Sequence, residues 1–401
     1  MRRAWGFAVV VVIGGCGDPA DAPDAAVDAP IDAPGLDADP RTTIAPGPAS
    51  GLGPDEPSWR QDEDPAVAVD ADGNLLAMWY SNRESTIAGQ LDKQVFAIRS
   101  TDAVTWSDAV QVSQGVAGAD WGFAPTLAIA PDGAAHAVWW NMHLLPDGCT
   151  PMVSCTGNAN TLWSASAADQ ISWSAPPEQV TSGLGDWLPS LVIDRVSGTR
   201  HLLFAAVARR ADGTPDVGET TSRLFVITRT ASGWGAVVPL VGVNAEGYHH
   251  SYPFAAQRAD GRYLLTWTRW PIGAAGGGPL DVLTTDQSET MVAESDDGVA
   301  WTSVRSISEP AGSETDVFPS LFGDPVSGAW WVVWVTTDGA PQGHTVELPW
   351  AGTYPADRVL RPELAGYSPR AAATATPGVR WGVWVEGTEP TQRVRSRFFA
   401  P

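Results

Sequence analysis

The sequence has few basic residues and almost no lysine. It contains 24 lysines and arginines against 46 aspartates and glutamates, a formal net charge of −22, and Lys93 is the only lysine. A surface that binds nucleic acid needs clustered basic side chains to neutralise phosphates, so this composition argues against nucleic acid as a partner. The same acidity argues against electrostatic docking on anionic lipid.

Long apolar runs are also missing, apart from a short one at the amino terminus. Arg2 and Arg3 precede an apolar stretch at residues 8–13, which is too short to span a bilayer and ends in Ile13-Gly14-Gly15-Cys16. This motif resembles a bacterial lipobox, which implies a lipoprotein signal peptide at residues 1–15 and diacylglycerol on the thiol of Cys16. We therefore expect an exported protein, lipid-anchored to the bacterial cell envelope at the outer membrane or cell surface. The alternative is an ordinary secretory signal with an incidental cysteine.

Aromatic and basic residues are absent from the segment that follows. Residues 16–40 repeat Asp, Ala and Pro. Such a chain buries too little apolar surface to offset its conformational entropy, and proline and like charges keep it extended. We predict a disordered tether that separates the anchor from a globular head at residues 41–401.

Cysteine is rare in the head, where only Cys149 and Cys155 occur. In an exported chain this close pair predicts a disulfide that closes a small loop, since a metal site would need more thiol or histidine ligands nearby. We expect neither a metal nor another cofactor.

The most informative feature of the head is an internal repeat. A proline is followed by an apolar stretch, a glycine-containing turn and a second apolar strand that ends in an aromatic residue, as in Pro65, Gly73 and Trp79. The six prolines that mark the repeat are Pro65, Pro125, Pro189, Pro253, Pro319 and Pro369. Repeats of this kind indicate stacked or radially arranged supersecondary units.

Each repeat is predicted to contain four strands. Apolar residues dominate the first two, which is typical of strands buried on both faces, and pairs such as Asp72-Gly73 are typical hairpin turns. With no helical pattern, the repeats predict an all-β fold: a six-bladed β-propeller of four-stranded antiparallel blades. The sixth repeat has room for only three strands, so we expect the last blade to be closed by an N-terminal strand at residues 41–44.

A motif between the third and fourth strands resembles a known family. Ser295-Asp296-Asp297-Gly298-Val299-Ala300-Trp301 is similar to the Asp-box (BNR repeat) of the sialidase superfamily, and residues 100–106 and 167–173 are variant copies. The positions that carry the resemblance are Ser100, Asp102, Trp106, Asp169, Trp173, Ser295, Asp297, Gly298 and Trp301. It implies a sialidase-like propeller on which the box is structural and faces away from the functional site: the aspartate caps turn amides and the tryptophan is buried.

Functional side chains are therefore expected in the segments that lead into each first strand. These segments combine acidic and aromatic residues, and such sets suit sugars, because rings stack on apolar sugar faces while carboxylates accept hydrogen bonds from hydroxyls. The candidates for ligand binding are Trp59, Trp121, Trp187, Tyr248, His250, Tyr252 and Tyr367. The acidic candidates for catalysis are Asp62, Asp64, Asp120, Asp186 and Asp316. A structural alternative stays open: Asp62, Asp186 and Asp316 each stand three residues before a strand proline and can fix the local turn, and the rings can pack between blades.

The arginine that sialidases place at the start of the first blade is missing. In that family an Arg-Ile-Pro motif holds the substrate carboxylate through bidentate contacts, whereas Glu63-Asp64-Pro65 stands here, so we expect no sialidase activity. The sequence favours a monomeric surface lipoprotein whose head binds a glycan or another extracellular ligand. Two alternatives stay open: a different glycoside hydrolase that uses carboxylates of the lead-in segments, and a scaffold for protein partners.

Overall fold

The computed structural model describes residues 42–43, 62–81, 93–102, 105–114, 121–142, 160–181, 185–216, 218–274, 287–308, 315–323, 328–337, 344–352, 359–361, 367–373, 380–386 and 393–399. Within these residues the chain forms 24 strands and no helix, and the strands make six four-stranded sheets. No helix long and apolar enough to cross a membrane occurs in this part of the chain. The predicted signal peptide, tether, Cys149 and Cys155 all lie outside it.

Five sheets are each built from four consecutive strands, which we number as blades 1 to 5. Blade 1 contains β2 (Asp62–Val69), β3 (Leu75–Ser81), β4 (Gln94–Ser100) and β5 (Val110–Gln111). Blade 2 contains β6 (Trp121–Ile129), β7 (Ala135–Met142), β8 (Thr161–Ala167) and β9 (Glu178–Gln179). Blade 3 contains β10 (Asp186–Ile193), β11 (Arg200–Ala206), β12 (Arg223–Thr230) and β13 (Gly233–Pro239). Blade 4 contains β14 (Tyr248–Gln257), β15 (Tyr263–Pro271), β16 (Glu289–Ser295) and β17 (Thr302–Ser306). Blade 5 contains β18 (Thr315–Gly323), β19 (Trp330–Thr337), β20 (His344–Pro349) and β21 (Val359–Arg361).

The remaining sheet joins the two ends of the described chain. Its order is β1-β24-β23-β22, from β22 (Tyr367–Ala373), β23 (Arg380–Glu386), β24 (Arg393–Phe399) and β1 (Thr42–Thr43). The short β1 pairs antiparallel with β24, with Thr42 opposite Ser396. The predicted propeller of four-stranded antiparallel blades is therefore confirmed, with a correction to how the blades are made. Consecutive strands complete five blades, one fewer than the six sequence repeats, and the last repeat supplies only three strands of the sheet that we call blade 6.

The first strand of every sheet lies innermost. These strands contact one another in the cyclic order β2, β6, β10, β14, β18, β22 and back to β2. Hydroxyl groups link neighbours in this cycle: the amide of Leu191 donates to Thr126 Oγ1 at 3.1 Å, and the amide of Ala255 donates to Ser190 Oγ at 2.9 Å. The second strand β3 is buried along its whole length, and four tryptophans of second strands are fully buried: Trp79, Trp139, Trp267 and Trp334.

Every first strand carries a bulge at the repeat proline. The register with the second strand shifts between Glu63 and Ala66 in blade 1, and at the corresponding place in the other five sheets. In blades 1 to 5 the residue before the proline has a positive φ of 39–55°: Asp64, Ala124, Leu188, Tyr252 and Phe318. A bulge leaves one residue outside the ladder and changes the direction of its side chain, so these residues are released from the regular alternation of the strand.

Candidate functional site

The bulges bring side chains from distant blades together near the centre of the cycle. The Asp64 carboxylate of blade 1 acts electrostatically on the Tyr252 hydroxyl of blade 4. The guanidinium carbon of Arg370 in blade 6 lies 5.6 Å from the ring centroid of Phe254 in blade 4. Neither pair belongs to neighbouring blades, so both interactions cross the middle of the molecule. We call Asp64, Tyr252, Phe254 and Arg370 the axial cluster.

The axial cluster holds opposite charges on half-buried side chains. Burial lowers the pKa of the Arg370 guanidinium to about 10, and the Asp64 carboxylate opposes this shift. Burial also raises the pKa of the Tyr252 phenol above its ordinary value, and the negative charge of Asp64 adds to the effect. At neutral pH the cluster therefore offers a carboxylate that accepts hydrogen bonds, a guanidinium that donates them and a neutral phenol.

Aromatic rings surround this polar group. The Tyr252 ring packs edge-on against Phe318 of blade 5, with centroids 4.8 Å apart, and lies 6.5 Å from the ring of Trp187 in blade 3. Trp187 is 7% exposed and belongs to the core between blades, so it packs on the buried side of Tyr252. Charged groups beside apolar ring faces can recognise a ligand that has both hydroxyl groups and apolar C–H surface.

The residue three positions before the repeat proline is not part of the axial cluster; in two blades it accepts a hydrogen bond from a buried tryptophan. In blade 5 the Trp334 indole N–H donates to Asp316 Oδ1 at 3.0 Å. In blade 4 the Trp267 indole N–H donates to His250 Nδ1 at 3.1 Å. In blade 2 Gly122 stands at this position, and Trp139 donates instead to Asn141 Oδ1 at 2.9 Å. The fully buried tryptophan of the second strand thus has an acceptor in each of these three blades, which supports the structural alternative for Asp316.

Blade 3 has a phenylalanine, Phe204, where these blades have tryptophan, and its aspartate pairs with an arginine instead. Asp186 is fully buried and accepts two hydrogen bonds from Arg209, Nε to Oδ1 and Nη2 to Oδ2, both at 2.7 Å. Arg209 also donates from Nη1 to the Gly213 carbonyl at 2.9 Å. This bidentate pair ties the start of β10 to the loop after β11, and it leaves Asp186 no contact with solvent.

His250 is a scaffold residue in the same sense. It is 1% exposed, and burial lowers the pKa of its imidazole to about 4, so the ring is neutral at physiological pH. Because Nδ1 accepts from Trp267, the proton lies on Nε2, which donates to the Ala245 carbonyl at 3.2 Å. Both ring nitrogens are therefore engaged within the protein, and neither is available to a ligand or a metal.

Glu63, which stands where sialidases have their arginine, is also engaged. Lys93 Nζ lies 3.3 Å from Glu63 Oε1, and the Tyr80 hydroxyl donates to Glu63 Oε2. The Lys93 ammonium also lies 4.7 Å from the Tyr80 ring centroid and 5.4 Å from that of Phe123. The only lysine of the chain is thus buried between blades 1 and 2 as the partner of Glu63.

The remaining candidates are only partly covered by the described residues. Tyr248 is half-buried, with the Arg269 guanidinium carbon 4.6 Å from its ring centroid. Asp62, Trp121 and Tyr367 lie at the starts of β2, β6 and β22, and their side chains are outside the described set. Trp59 and Asp120 are outside it altogether. Within the described part of the chain, no three histidine, cysteine, aspartate or glutamate side chains come close enough to hold a metal ion.

The Asp-box turns lie at the other end of the blades and are structural. Asp297 Oδ1 accepts from the amides of Val299 and Ala300 at 2.9 and 2.8 Å, and Trp301 is 3% exposed. In blade 2 the box residue Gln170 donates to Asp70 Oδ2 at 3.1 Å and to the Gly133 carbonyl at 3.0 Å. Asp70 and Gly133 belong to turns between first and second strands, so the box lies opposite the starts of the first strands.

No known protein-family profile matches the sequence, and no curated protein sequence matches it. Solved structures do match. An α-L-arabinanase from Penicillium chrysogenum, complexed with arabinobiose, has a TM-score of 0.60 at 15% identity, over 85% of this chain and 93% of that one. A Hadza microbial sialidase has a TM-score of 0.59 at 16% identity, over 85% of this chain and 66% of that one. A protein of unknown function from Dyadobacter fermentans has a TM-score of 0.61 at 12% identity, over 85% and 95% of the two chains. The likeness is one of fold.

Proposed function

We propose that this chain is a carbohydrate-binding propeller that presents the axial cluster to a glycan. Two observations carry the proposal: the Arg370 guanidinium carbon lies 5.6 Å from the Phe254 ring centroid, and the Asp64 carboxylate acts electrostatically on both Arg370 and Tyr252. Sugar hydroxyls hydrogen-bond to such charged groups, and apolar sugar faces pack on such rings. The fold likeness to an arabinanase and a sialidase supports a sugar as the class of ligand.

The axial backbone also supports a functional role for this place. Non-glycine residues with positive φ cost on the order of 1–3 kcal/mol each and persist where the surrounding structure enforces them. Five such residues stand at the same point of five blades around one centre. Strain concentrated in this way is typical of ligand sites.

Binding is favoured over hydrolysis because other acidic candidates are hydrogen-bonded inside the protein. Glycoside cleavage generally uses two carboxylates about 5–10 Å apart. Among the acidic candidates whose side chains the structure describes, Asp186 and Asp316 are committed to the scaffold and only Asp64 joins the axial cluster. A non-sialidase glycoside hydrolase is the second candidate function, favoured by Asp64 in the cluster and by the fold likeness to an arabinanase.

We further propose that the six sheets close into one ring of six blades, with the axial cluster at its centre. The cyclic contacts of the first strands support this closure. The head is monomeric, exported and attached to the cell envelope through acyl chains on Cys16, with the Asp/Ala/Pro-rich segment as a spacer. The lipobox-like motif supports the anchor.

The binding proposal is tested by screening the purified protein on a glycan array and titrating each hit by calorimetry. Asp64→Asn removes the charge while keeping shape, and asparagine tolerates the left-handed backbone at this position. Losing a charged hydrogen bond of about 1.5–3 kcal/mol should weaken binding about tenfold or more. Asp260→Asn, an exposed carboxylate in the β14–β15 turn, is the matched control and should bind like wild type.

The same hits decide between the candidate functions. We expect no release of reducing ends from any bound glycan. Turnover that disappears in Asp64→Asn while affinity stays would replace the binding proposal with the hydrolase. A protein with no glycan hits and no hydrolysis, but with a captured protein partner, would support the scaffold.

The anchor is tested separately by mass spectrometry of the mature amino terminus. We expect a diacylglyceryl group on Cys16, and Cys16→Ser should release the protein from the envelope fraction. An unmodified thiol in the mature protein would contradict the lipoprotein prediction.

A further inference from the structure

A cavity region lies between blades 2 and 3, away from the axial cluster. A cavity of about 330 Å³ is lined by His136 and Ser164 of blade 2 and by Arg200, Arg229 and Trp234 of blade 3. A neighbouring cavity of about 300 Å³ shares Arg200 and Arg229 and continues along the turn at residues 197–199. Together we call them the lateral groove. Their size falls at the lower end of ligand pockets, which are about 300–1,000 Å³.

The equivalent cleft between blades 3 and 4 is filled by side chains. His201 in blade 3 occupies the position of His136, since each is the second residue of its second strand. His201 Nδ1 makes a hydrogen bond with Thr228 Oγ1 at 3.1 Å, and its ring packs edge-on against Tyr263 of blade 4 at 5.3 Å. The cleft between blades 3 and 4 is thus closed by a histidine, a hydroxyl and a tyrosine ring.

The lateral groove has different residues at the equivalent positions. Arg200 stands at the position of Tyr263, and Ser166 stands opposite His136 as Thr228 stands opposite His201. His136 is 6% exposed, and its Nδ1 is buried without a hydrogen-bond partner among the described residues. A buried nitrogen without a partner is costly, and the His136 side chain that carries it lines the cavity.

A change in the neighbouring turn opens the groove further. In blade 4 the Asp-box glycine covers His201: a Cβ at Gly298 would lie 3.2 Å from the imidazole. Blade 3 has no Asp-box at this point, and Thr230-Ala231-Ser232-Gly233 forms a shorter hairpin there. The box that would cover His136 is therefore replaced by a turn that leaves the Trp234 ring at the cavity wall.

The arginines of the lateral groove favour an anionic ligand. Arg229 is paired with Glu178 at 2.6 Å, whereas Arg200 has no carboxylate within ion-pair distance among the described residues. Glu178, which also lines the cavity, and Asp132 act on Arg200 only at longer range, and Asp132 also acts on His136. Arg200 thus offers a guanidinium to an anion in a protein of strongly negative net charge.

We propose that the lateral groove binds an acidic sugar of one or two rings. Its carboxylate pairs with Arg200, its hydroxyls hydrogen-bond to His136 Nδ1 and Ser164, and one ring face packs on Trp234. A planar guanidinium matches a carboxylate bidentately, which distinguishes a uronic acid from a neutral sugar. This site is separate from the axial cluster and does not depend on the function proposed for it.

The test is calorimetric titration of the purified protein with digalacturonate and, for comparison, with neutral cellobiose. We expect saturable binding of digalacturonate and at least about tenfold weaker binding of cellobiose. Arg200→Gln should weaken the acid about tenfold or more, and Arg200→Tyr, which copies the cleft between blades 3 and 4, should abolish its binding. Arg262→Gln removes an exposed guanidinium from blade 4 and is the matched control for net charge.

The outcomes separate this site from nonspecific attraction and from the axial cluster. Near-ultraviolet circular dichroism checks that both Arg200 variants are folded. The proposal is overturned by absence of saturable digalacturonate binding, by unchanged affinity in both Arg200 variants, or by an equal loss in Arg262→Gln. An equal loss in Asp64→Asn would also overturn it, because the acid would then bind at the axis.

Discussion

The assignment of Asp186 to the scaffold predicts a large loss of stability from a small chemical change. Asp186→Asn keeps the size of the side chain but removes the charge that faces Arg209. Asp186 is 0% and Arg209 5% exposed at the side chain, and both hydrogen bonds between them measure 2.7 Å. The substitution leaves the buried Arg209 guanidinium without its counter-ion. It also leaves only one side-chain oxygen to accept the two hydrogen bonds that Arg209 donates.

The magnitude follows from that burial. Removing one partner of a buried ion pair costs about 3–5 kcal/mol, a large part of the roughly 5–15 kcal/mol that stabilises a typical domain. Replacing both residues together, Asp186→Leu with Arg209→Met, should be less destabilising than Asp186→Leu alone, because no unpaired charge is left inside. The exposed pair of Asp216 with Arg210, at 2.8 Å in the same blade, provides the matched control, and Asp216→Asn should unfold like wild type.

The assay is urea unfolding followed by the fluorescence of the chain's 20 tryptophans. We expect a clearly lower midpoint for Asp186→Asn, and unchanged glycan affinity at temperatures where the variant is folded. A variant of wild-type stability that has lost binding or turnover would refute the scaffold role and return Asp186 to the functional site.

Three further predictions concern other parts of the scaffold. His250→Leu leaves the buried Trp267 indole N–H without its acceptor and should lower the unfolding free energy by about 1–3 kcal/mol; an unchanged melting temperature would contradict the hydrogen bond. Gly242→Ala should destabilise far more than Gly247→Ala in thermal melts. Both have positive φ, which alone costs about 1–2 kcal/mol for a residue with a Cβ. A Cβ at Gly242 would overlap the Trp301 carbonyl oxygen, whereas one at Gly247 would meet nothing within 4 Å, so equal losses would be inconsistent with this contact. Hydrogen bonds from the Ser172 hydroxyl and amide lower the pKa of Asp169 from 3.8 to about 2, so its stabilisation is complete above the unfolded pKa and is lost as the pH falls from about 4 to 2. The difference in melting temperature between wild type and Asp169→Asn should therefore vanish over that pH range, and a constant difference would refute the assignment.

The fold was accessible from the sequence because its signals are local. Glycine at hairpin turns, runs of apolar residues in the first two strands and the regular return of proline and tryptophan each depend on a few neighbouring residues, and all agree. The Asp-box turns likewise form from short-range hydrogen bonds to one aspartate.

The axial cluster was less accessible because it depends on an unusual backbone and on distant partners. A residue before proline is normally extended, yet Asp64 and Tyr252 adopt a left-handed conformation that the bulge enforces. Arg370 was not singled out at all, since nothing near it in sequence shows that it reaches blade 4.

One missed signal was present in the sequence. The acceptor and the buried tryptophan stand 18 residues apart for Asp316 and Trp334, and 17 apart for His250 and Trp267. This spacing across the first hairpin identifies the residue three before the proline as a partner of the tryptophan, and it would have separated Asp316 from Asp64.

The most direct test of the account is a crystal structure of the protein with a glycan found on the array. We predict sugar density at the axial cluster, with hydroxyl oxygens about 2.6–3.2 Å from the Asp64 carboxylate and the Arg370 guanidinium. Density confined to the rim or to the Asp-box face, with no sugar in contact with Asp64 or Arg370, would contradict the central claim.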